Sequence, residues 1–316
     1  MTSQSQESWV MRIAGFLGLR RIRWSLRRLH VPVNARALVL EVGSGGNPYP
    51  RANVLLDGFE ASSERIEKKL VRDRPFVFGL CEKLPFRDKV FDFVIASHVL
   101  EHTDDPDSFL SELQRVAKAG YIETPDAFFE RINPYTYHRL EVAAENQKLI
   151  IKKKTKWKND PELVNLYDKK LKKDSTFQRY IRIFPDSLYV RFYWSDSIEY
   201  QIVNPSDSAN WSYPIELNAC PPTTNKFKDA FRSLCLFLFR RIFSQNRRNG
   251  AINLINLLRC VKCNHDALMK TGDSVLCNKC HQSYPIVNGV PKMIVGEISG
   301  ANQVRSQSIE SGVDKG

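Results

Sequence analysis

The chain has 316 residues, enough for one large domain and a small second one, and its 42% apolar and 26% charged content is that of an ordinary globular protein. No apolar run approaches the roughly 20 residues a membrane-spanning helix needs, which excludes an integral membrane protein of the helical class. The formal net charge of +12 excludes none of the polyanionic partners, so RNA, anionic lipid and phosphorylated substrates all stay open.

In chain order, residues 1–34 read as a basic amphipathic helix, with Trp9, Ile13, Phe16, Leu17, Ile22 and Leu26 set among arginines. The first charge is Glu7 and the arginines follow the apolar stretch, which is not a signal-peptide layout; a cytoplasmic location is expected. Residues 35–125 alternate short apolar runs with helical patterns. Strands are expected at 37–42, 54–57, 76–78, 91–96 and from 121. Helices are expected at 62–71 and 107–118, the second with Phe109, Leu110, Leu113 and Val116 on one face and Gly120 as its breaker. Strand–helix alternation predicts an α/β fold built on a doubly wound, mainly parallel sheet. Residues 126–218 are less regular and rich in aromatics and lysine. Residues 219–250 run from Pro221-Pro222 into a second basic, apolar helix, 251–297 hold two cysteine pairs, and the polar tail 298–316 reads as disordered.

In such sheets a ligand binds beyond the C-terminal strand ends, where strand order reverses. The first loop there is Gly43-Ser44-Gly45-Gly46. Glycines let the backbone turn sharply and approach a ligand closely. A dinucleotide fingerprint needs a third glycine three residues after the second, to seat a pyrophosphate, and that position is Pro48. A carboxylate, Glu41, stands two residues before the first glycine instead. S-adenosylmethionine carries no phosphate but does carry an ammonium and a sulfonium, which a carboxylate suits. Asp57, ending the second strand, can accept hydrogen bonds from both hydroxyls of a ribose.

With Leu84-Pro85-Phe86, Phe91-Asp92-Phe93-Val94, Val99-Leu100-Glu101-His102, Asp105-Pro106 and the run 115–120, the segment resembles the class I S-adenosylmethionine-dependent methyltransferases, specifically their ubiquinone-biosynthesis-type branch. The resemblance covers about 90 residues and implies a Rossmann-like methyltransferase domain over 35–218, with 126–218 as a lid on the acceptor side. It implies that Glu41, Gly43, Ser44 and Gly45 hold the methionyl part, Asp57 the ribose, and Cys81 and Glu82 the adenine, while Ser97 lines the pocket. Two departures stand out. Leu80 or Cys81 occupies the place of the usual acidic adenine ligand. The first crossover is also too short for a helix and reads as a turn at Asn47-Pro48-Tyr49-Pro50.

Cys260-Val261-Lys262-Cys263 and Cys277-Asn278-Lys279-Cys280 are two CxxC knuckles 13 residues apart, a spacing that can close a thiolate tetrahedron around Zn²⁺. A hairpin is expected across Asn288-Gly289. This segment resembles the small zinc-ribbon activators of tRNA, ribosomal-RNA and release-factor methyltransferases, which implies a stabilising module carried in cis with Cys260, Cys263, Cys277 and Cys280 as structural metal ligands.

Methyl transfer needs alignment above all, and a base only if the acceptor must lose a proton. Candidates near the strand ends are His98, His102, Glu123 and His138, with Glu101 and Tyr137 beside them. The Asn-Pro-Pro-aromatic run of enzymes that methylate adenine N6 or glutamine is replaced by Ala96-Ser97-His98-Val99. The expected acceptor is a small molecule, a sugar or a lipid-linked compound, with the basic helices at 9–29 and 227–248 contacting an anionic inner-membrane face. The alternatives are an RNA- or protein-modifying enzyme, its aromatics interleaved with the lysine runs at 152–154 and 169–173, and a non-catalytic binding protein on the same scaffold. Oligomeric state is not legible from the sequence.

Overall fold

The computed structural model describes residues 6–60, 69–211 and 226–295. The helix expected at 62–71 falls mostly outside them, as do the tail and Cys220. The N-terminal segment is not one helix but two, α1 (Trp9–Phe16) and α2 (Arg20–Leu26), separated at Gly18, which adopts the left-handed φ of +71°. A continuous amphipathic pattern conceals that break, because glycine both tolerates a helix interior and takes the left-handed turn that ends one.

Strands β1 (Val39–Val42), β2 (Val54–Asp57), β3 (Phe76–Phe78) and β4 (Phe93–Ser97) lead into α3 (Pro106–Val116) and β5 (Ala119–Pro125). Asp105 caps α3, its carboxylate accepting from the Ser108 N–H at 3.0 Å, and Pro106 starts the helix with φ already fixed. The chain continues through α4 (Ala127–Ile132), the hairpin β6 (Leu140–Glu145) and β7 (Lys148–Lys153), α5 (Pro161–Leu166), α6 (Ser175–Ile183), β8 (Tyr189–Ser195) and β9 (Tyr200–Ile202). It then runs through α7 (Lys226–Phe243), α8 (Asn246–Gly250) and the C-terminal strands β10 (Leu268–Thr271), β11 (Ser274–Cys277), β12 (Ser283–Val287) and β13 (Val290–Pro291).

The main sheet has the order β3-β2-β1-β4-β5-β8, parallel except for β8, which pairs antiparallel with β5 from Ala119↔Ser195 to Pro125↔Tyr189. Order reverses between β1 and β4, so the ligand crevice of a doubly wound sheet falls there. The short connection between β1 and β2 contains turns and no helix, as its length dictates. Alternate strand residues feed two cores. Leu40, Val42, Val54, Leu56, Val94 and Ala96 face α3, whose Phe109, Leu110, Leu113 and Val116 are fully buried. Val39, Leu55, Phe93 and Ile95 face Val31 from the N-terminal segment and Tyr49 from the shortened crossover.

The described part of the expected lid, residues 126–211, also builds sheet structure. Within it β8 is a full member of the main sheet, and β6-β7-β9 form a second sheet of their own. Val190, Phe192 and Trp194 alternate inward along β8, and the Trp194 indole lies over Gly120, where an added Cβ would come within 2.6 Å of its Nε1. The C-terminal strands make a separate four-stranded sheet docked on the β3 edge. The Met293 N–H donates to the Phe78 carbonyl at 2.8 Å. The Arg87 N–H donates to Leu257 O and the Arg259 N–H to Pro85 O, both at 3.0 Å. An edge that would otherwise offer unpaired backbone groups is thereby covered.

Candidate active site

A cavity of about 370 Å³ opens at the C-terminal strand ends, on the switch-point side of the sheet. Its wall brings Gly43, Gly45, Asp57, Gly58, Cys81 and Glu82 together with His98, Glu101, His102, Tyr135, Tyr137 and His138, and Phe129 and Tyr189 also line it. Gly43 has φ +66°, and a Cβ there would come within 2.3 Å of the Val99 side chain, so both the turn and the space demand glycine. The Gly45 N–H donates to Asp57 Oδ2 at 3.0 Å and the Phe59 N–H to Oδ1 at 3.3 Å, which fixes the Asp57 carboxylate at the cavity wall. Such a wall, with close-approach glycines and an oriented carboxylate and no phosphate cradle, fits a ribose-bearing cofactor. Glu82 accepts from the Thr103 hydroxyl at 2.6 Å, so one of its oxygens is already engaged.

Three residues expected at the cofactor do not line the cavity. Ser44 is buried beside β2, its N–H donating to Leu56 O at 3.1 Å. Ser97 ends β4 with its hydroxyl 3.4 Å from Glu123 Oε1. Glu41 turns to the shortened crossover, where its Oε2 accepts the Tyr49 N–H at 2.7 Å and the side chain is sealed from water. Because β1 alternates faces, a carboxylate two positions before Gly43 points to the core shared with Tyr49 rather than to the loop. Burial pushes its carboxyl up to about 7, against the pull of Arg28 and Arg74. The folded chain thus keeps a proton that the unfolded chain releases near 4.5, and stability falls as pH rises through the window from 4.5 to about 7. Glu41→Gln keeps the acceptor for Tyr49 and is expected to flatten this slope, gaining about 1–3 kcal/mol over the parent at pH 8. Urea midpoints measured across pH check it, and parallel profiles for the two proteins would contradict it.

The candidate catalytic residues come together unequally. His98 sits at a left-handed φ of +59°, with Nδ1 3.3 Å from Glu101 Oε1 and Nε2 3.5 Å from Glu123 Oε1. Burial opposes its charge, but hydrogen bonds to the two carboxylates override that and raise its pKa to about 9. Glu123 does not line the cavity; it lies beneath, fully enclosed. Its two oxygens accept from Arg27 Nε at 2.7 Å and Nη2 at 2.8 Å, with the Tyr121 hydroxyl donating as well. Burial alone would raise the Glu123 carboxyl, and the Arg27 and His98 hydrogen bonds hold it well below the usual range instead. His102 and His138 meet edge to face at 4.9 Å, and His102 stacks on Tyr137 at 5.4 Å.

Sequence reasoning missed Arg27, Glu130 and Lys154. Arg27 looked like one more arginine of a surface helix. Lys154 closes a lysine run read in the RNA-binding alternative, yet it is buried and donates to Glu130 Oε1 at 2.7 Å. No local signal pairs residues so far apart in the chain.

At the C-terminal sheet the four knuckle sulfurs lie within 4.8 Å of one another, with Cys260–Cys280 and Cys263–Cys277 at 3.6 Å. A tetrahedral Zn²⁺ with bonds near 2.3 Å needs sulfurs about 3.8 Å apart, so the set fits. The two knuckles are built alike. Asn264 and His281 follow their second cysteines at φ +58° and +57°, and their N–H groups donate to Cys260 O and Cys277 O at 2.9 and 3.0 Å. His281 therefore serves the turn, and His265 accepts the Ala267 N–H through Nδ1 at 3.1 Å.

Residues 40–122 match the family model described as a methyltransferase domain. A demethylmenaquinone methyltransferase of Streptomyces avermitilis is 40% identical over 75 residues, 23% of this chain and 32% of that one. The ubiquinone/menaquinone biosynthesis C-methyltransferase UbiE of Desulfotalea psychrophila is 32% identical over 97 residues, 28% of this chain and 39% of that one. Among solved structures, an S-adenosylmethionine-dependent methyltransferase from Aquifex aeolicus aligns at 22% identity over 35% of this chain and 67% of that one, with a TM-score of 0.26. The matches span 25–43% of the lengths of the curated relatives. The segment that matches the methyltransferase-domain model, residues 40–122, supplies the parallel strands whose order reverses beside the glycine-walled cavity.

Proposed function

We propose that the whole chain is a methyltransferase for a small-molecule, sugar or lipid-linked acceptor, stabilised by its own zinc ribbon. The observation that carries this reading is a single cavity joining the Gly43–Gly45–Asp57 wall to a histidine–tyrosine wall. S-adenosylmethionine, when bound, supplies an electrophilic methyl group on its sulfonium. Asp57 holds the ribose, the glycines admit the methionyl backbone, and Cys81 and Glu82 flank the adenine. Phe129, Tyr135, Tyr137 and Tyr189 exclude water and set the acceptor's orientation, which is the larger part of what such a displacement requires. The four cysteines hold Zn²⁺ with no open position, so that metal acts on folding and not on the reaction.

Two features support a membrane-borne acceptor over RNA. Phe16 is 92% exposed and projects with Trp9 and Leu17 from α1 and its C-cap, next to the arginine-rich α2, while Ile242, 72% exposed, and Phe231 project from α7, which ends in Arg240 and Arg241. Such helices lie in an anionic interface, with apolar side chains inserted and arginines at the headgroups. Two of the aromatics expected to stack on bases are tied internally instead: Trp157 donates to Pro134 O at 3.3 Å and Trp211 to Thr136 O at 2.9 Å. Incubating the full chain with methyl-labelled cofactor, anionic vesicles and cell extract is expected to place label in the solvent-extractable lipid or small-molecule fraction. Trp9→Ser with Phe16→Ser and Leu17→Ser is expected to cut vesicle co-sedimentation at least tenfold. Label confined to RNA or protein would overturn the acceptor class.

A further inference from the structure

The geometry points to a second metal site, in the acceptor end of the cavity, made by Glu101, His102 and His138. One ligand atom from each lies within 4.8 Å of the others, and all three residues line the cavity. The site is built into the backbone. Glu101 and His102 share one helical turn, Leu100–His102, and the Arg139 N–H donates to the Glu101 carbonyl at 2.6 Å, which locks the segment bearing His138 against that turn.

Two further observations point to a ligand. Glu101 is 1% exposed, and while its Oε1 meets His98, its Oε2 has no hydrogen-bond partner. A buried carboxylate oxygen left this way is costly unless something cationic fills the gap. His138 Nδ1 lies 2.6 Å from Glu130 Oε2, and Glu130 Oε1 accepts from Lys154 at 2.7 Å, all three side chains being buried. A carboxylate can only accept, so Nδ1 donates to Glu130, and Nε2 is the ring nitrogen left for a ligand. This is the carboxylate–histidine support that orients imidazoles toward metals.

Two imidazoles and one carboxylate select a divalent transition ion such as Zn²⁺, Fe²⁺ or Mn²⁺ over Mg²⁺ or Ca²⁺. A tetrahedral ion would draw the ligand atoms to about 3.3 Å from one another. Three protein ligands leave at least one position open, and it faces the cavity. If the cavity is the acceptor pocket of the preceding section, a reading on which this consequence alone rests, that position takes an oxygen of the acceptor. The acceptor class narrows accordingly to hydroxyl or carboxylate compounds that can bind a metal.

The test is a Co²⁺ titration of the full chain after chelator dialysis, followed by absorption spectroscopy and metal analysis. The cysteine set gives intense thiolate charge-transfer bands, and a nitrogen–oxygen site gives only weak d–d bands. Two ions per chain with both signatures are expected. His138→Ala and Glu101→Gln should each lose the weak-band ion and keep the thiolate bands, which report that the fold persists. Glu130→Gln should weaken that ion about 10- to 100-fold without removing a ligand. A parent protein that takes up cobalt only with thiolate bands overturns the site, as does full retention of the second ion in His138→Ala. Cofactor binding is read separately by calorimetry, so a second ion without cofactor binding would count against the methyltransferase reading and leave the metal site standing.

Discussion

Replacing Arg27 with methionine is expected to destabilise the protein by about 3–5 kcal/mol, the cost of leaving a buried charge without its partner. Glu123 has a fully enclosed side chain and Arg27 is only 10% exposed, so solvent does little to screen either. Their contact is bidentate, which adds geometric fit to charge. The Arg27 guanidinium also lies 3.7 Å from the Trp24 ring centroid, so α2 is held to the end of β5 by one side chain. His98 and Tyr121 remain beside Glu123 in the variant, but neither replaces a fork of two donors. The combination of Arg27→Met with Glu123→Gln should recover part of the loss, because it removes the stranded charge. Urea unfolding of the single and double variants measures this, and additive losses would show that the two residues are not coupled. The result matters for the membrane test as well. Deleting the N-terminal segment would remove the clamp together with the exposed helix face, whereas Trp9, Phe16 and Leu17 can be changed without touching it.

The second large effect is expected on chelating the metal proposed for the cysteine set. Besides its cysteines the C-terminal module buries few apolar side chains, namely Leu258, Val261, Val275, Tyr284, Val290 and Met293, and cannot hold its fold on burial alone. Structural zinc contributes about 10–16 kcal/mol to small modules of this kind at neutral pH. Loss of the fold would release the Met293–Phe78 and Leu257–Arg87 hydrogen bonds and break the Arg259–Asp88 contact. The β3 edge would then be bare beside Cys81 and Glu82. Chelation, or Cys277→Ser, is therefore expected to unfold residues 251–295 and to lower the melting temperature of the whole chain. Limited proteolysis localises the first effect and calorimetric scanning measures the second. A scan unchanged by chelator would mean that the thiols hold no structural ion.

What was legible in the sequence was whatever rests on local pattern. The strands expected at 37–42, 54–57 and 91–96 form at 39–42, 54–57 and 93–97 and are buried on both faces up to the half-buried Ser97, and the short first crossover could only be a turn. Asn288-Gly289 forms the expected hairpin with both residues at positive φ, the geometry for which that pair is chosen. What was hidden depends on distant pairing. The alternation of Tyr189 to Ser195 is clear once β8 is known, but aromatics at that spacing serve a lid as well as a strand. Arg27 and Glu123 are 96 residues apart, and nothing near either one names the other. Glu41 shows two readable signals that differ: the loop motif implies a cofactor role, while strand alternation sets its side chain on the Val39 side of β1, where it meets the Tyr49 N–H.

The proposed function stands on S-adenosylmethionine binding at the wall formed by Gly43, Gly45 and Asp57. Isothermal titration of the metal-loaded full chain tests it most directly, with Asp57→Ala as the matched control. Saturable binding at one site per chain, weakened by Asp57→Ala about 100-fold as befits loss of a charged hydrogen-bond acceptor, is the result predicted. Absence of heat with the parent protein, or equal affinity in the two, would contradict it.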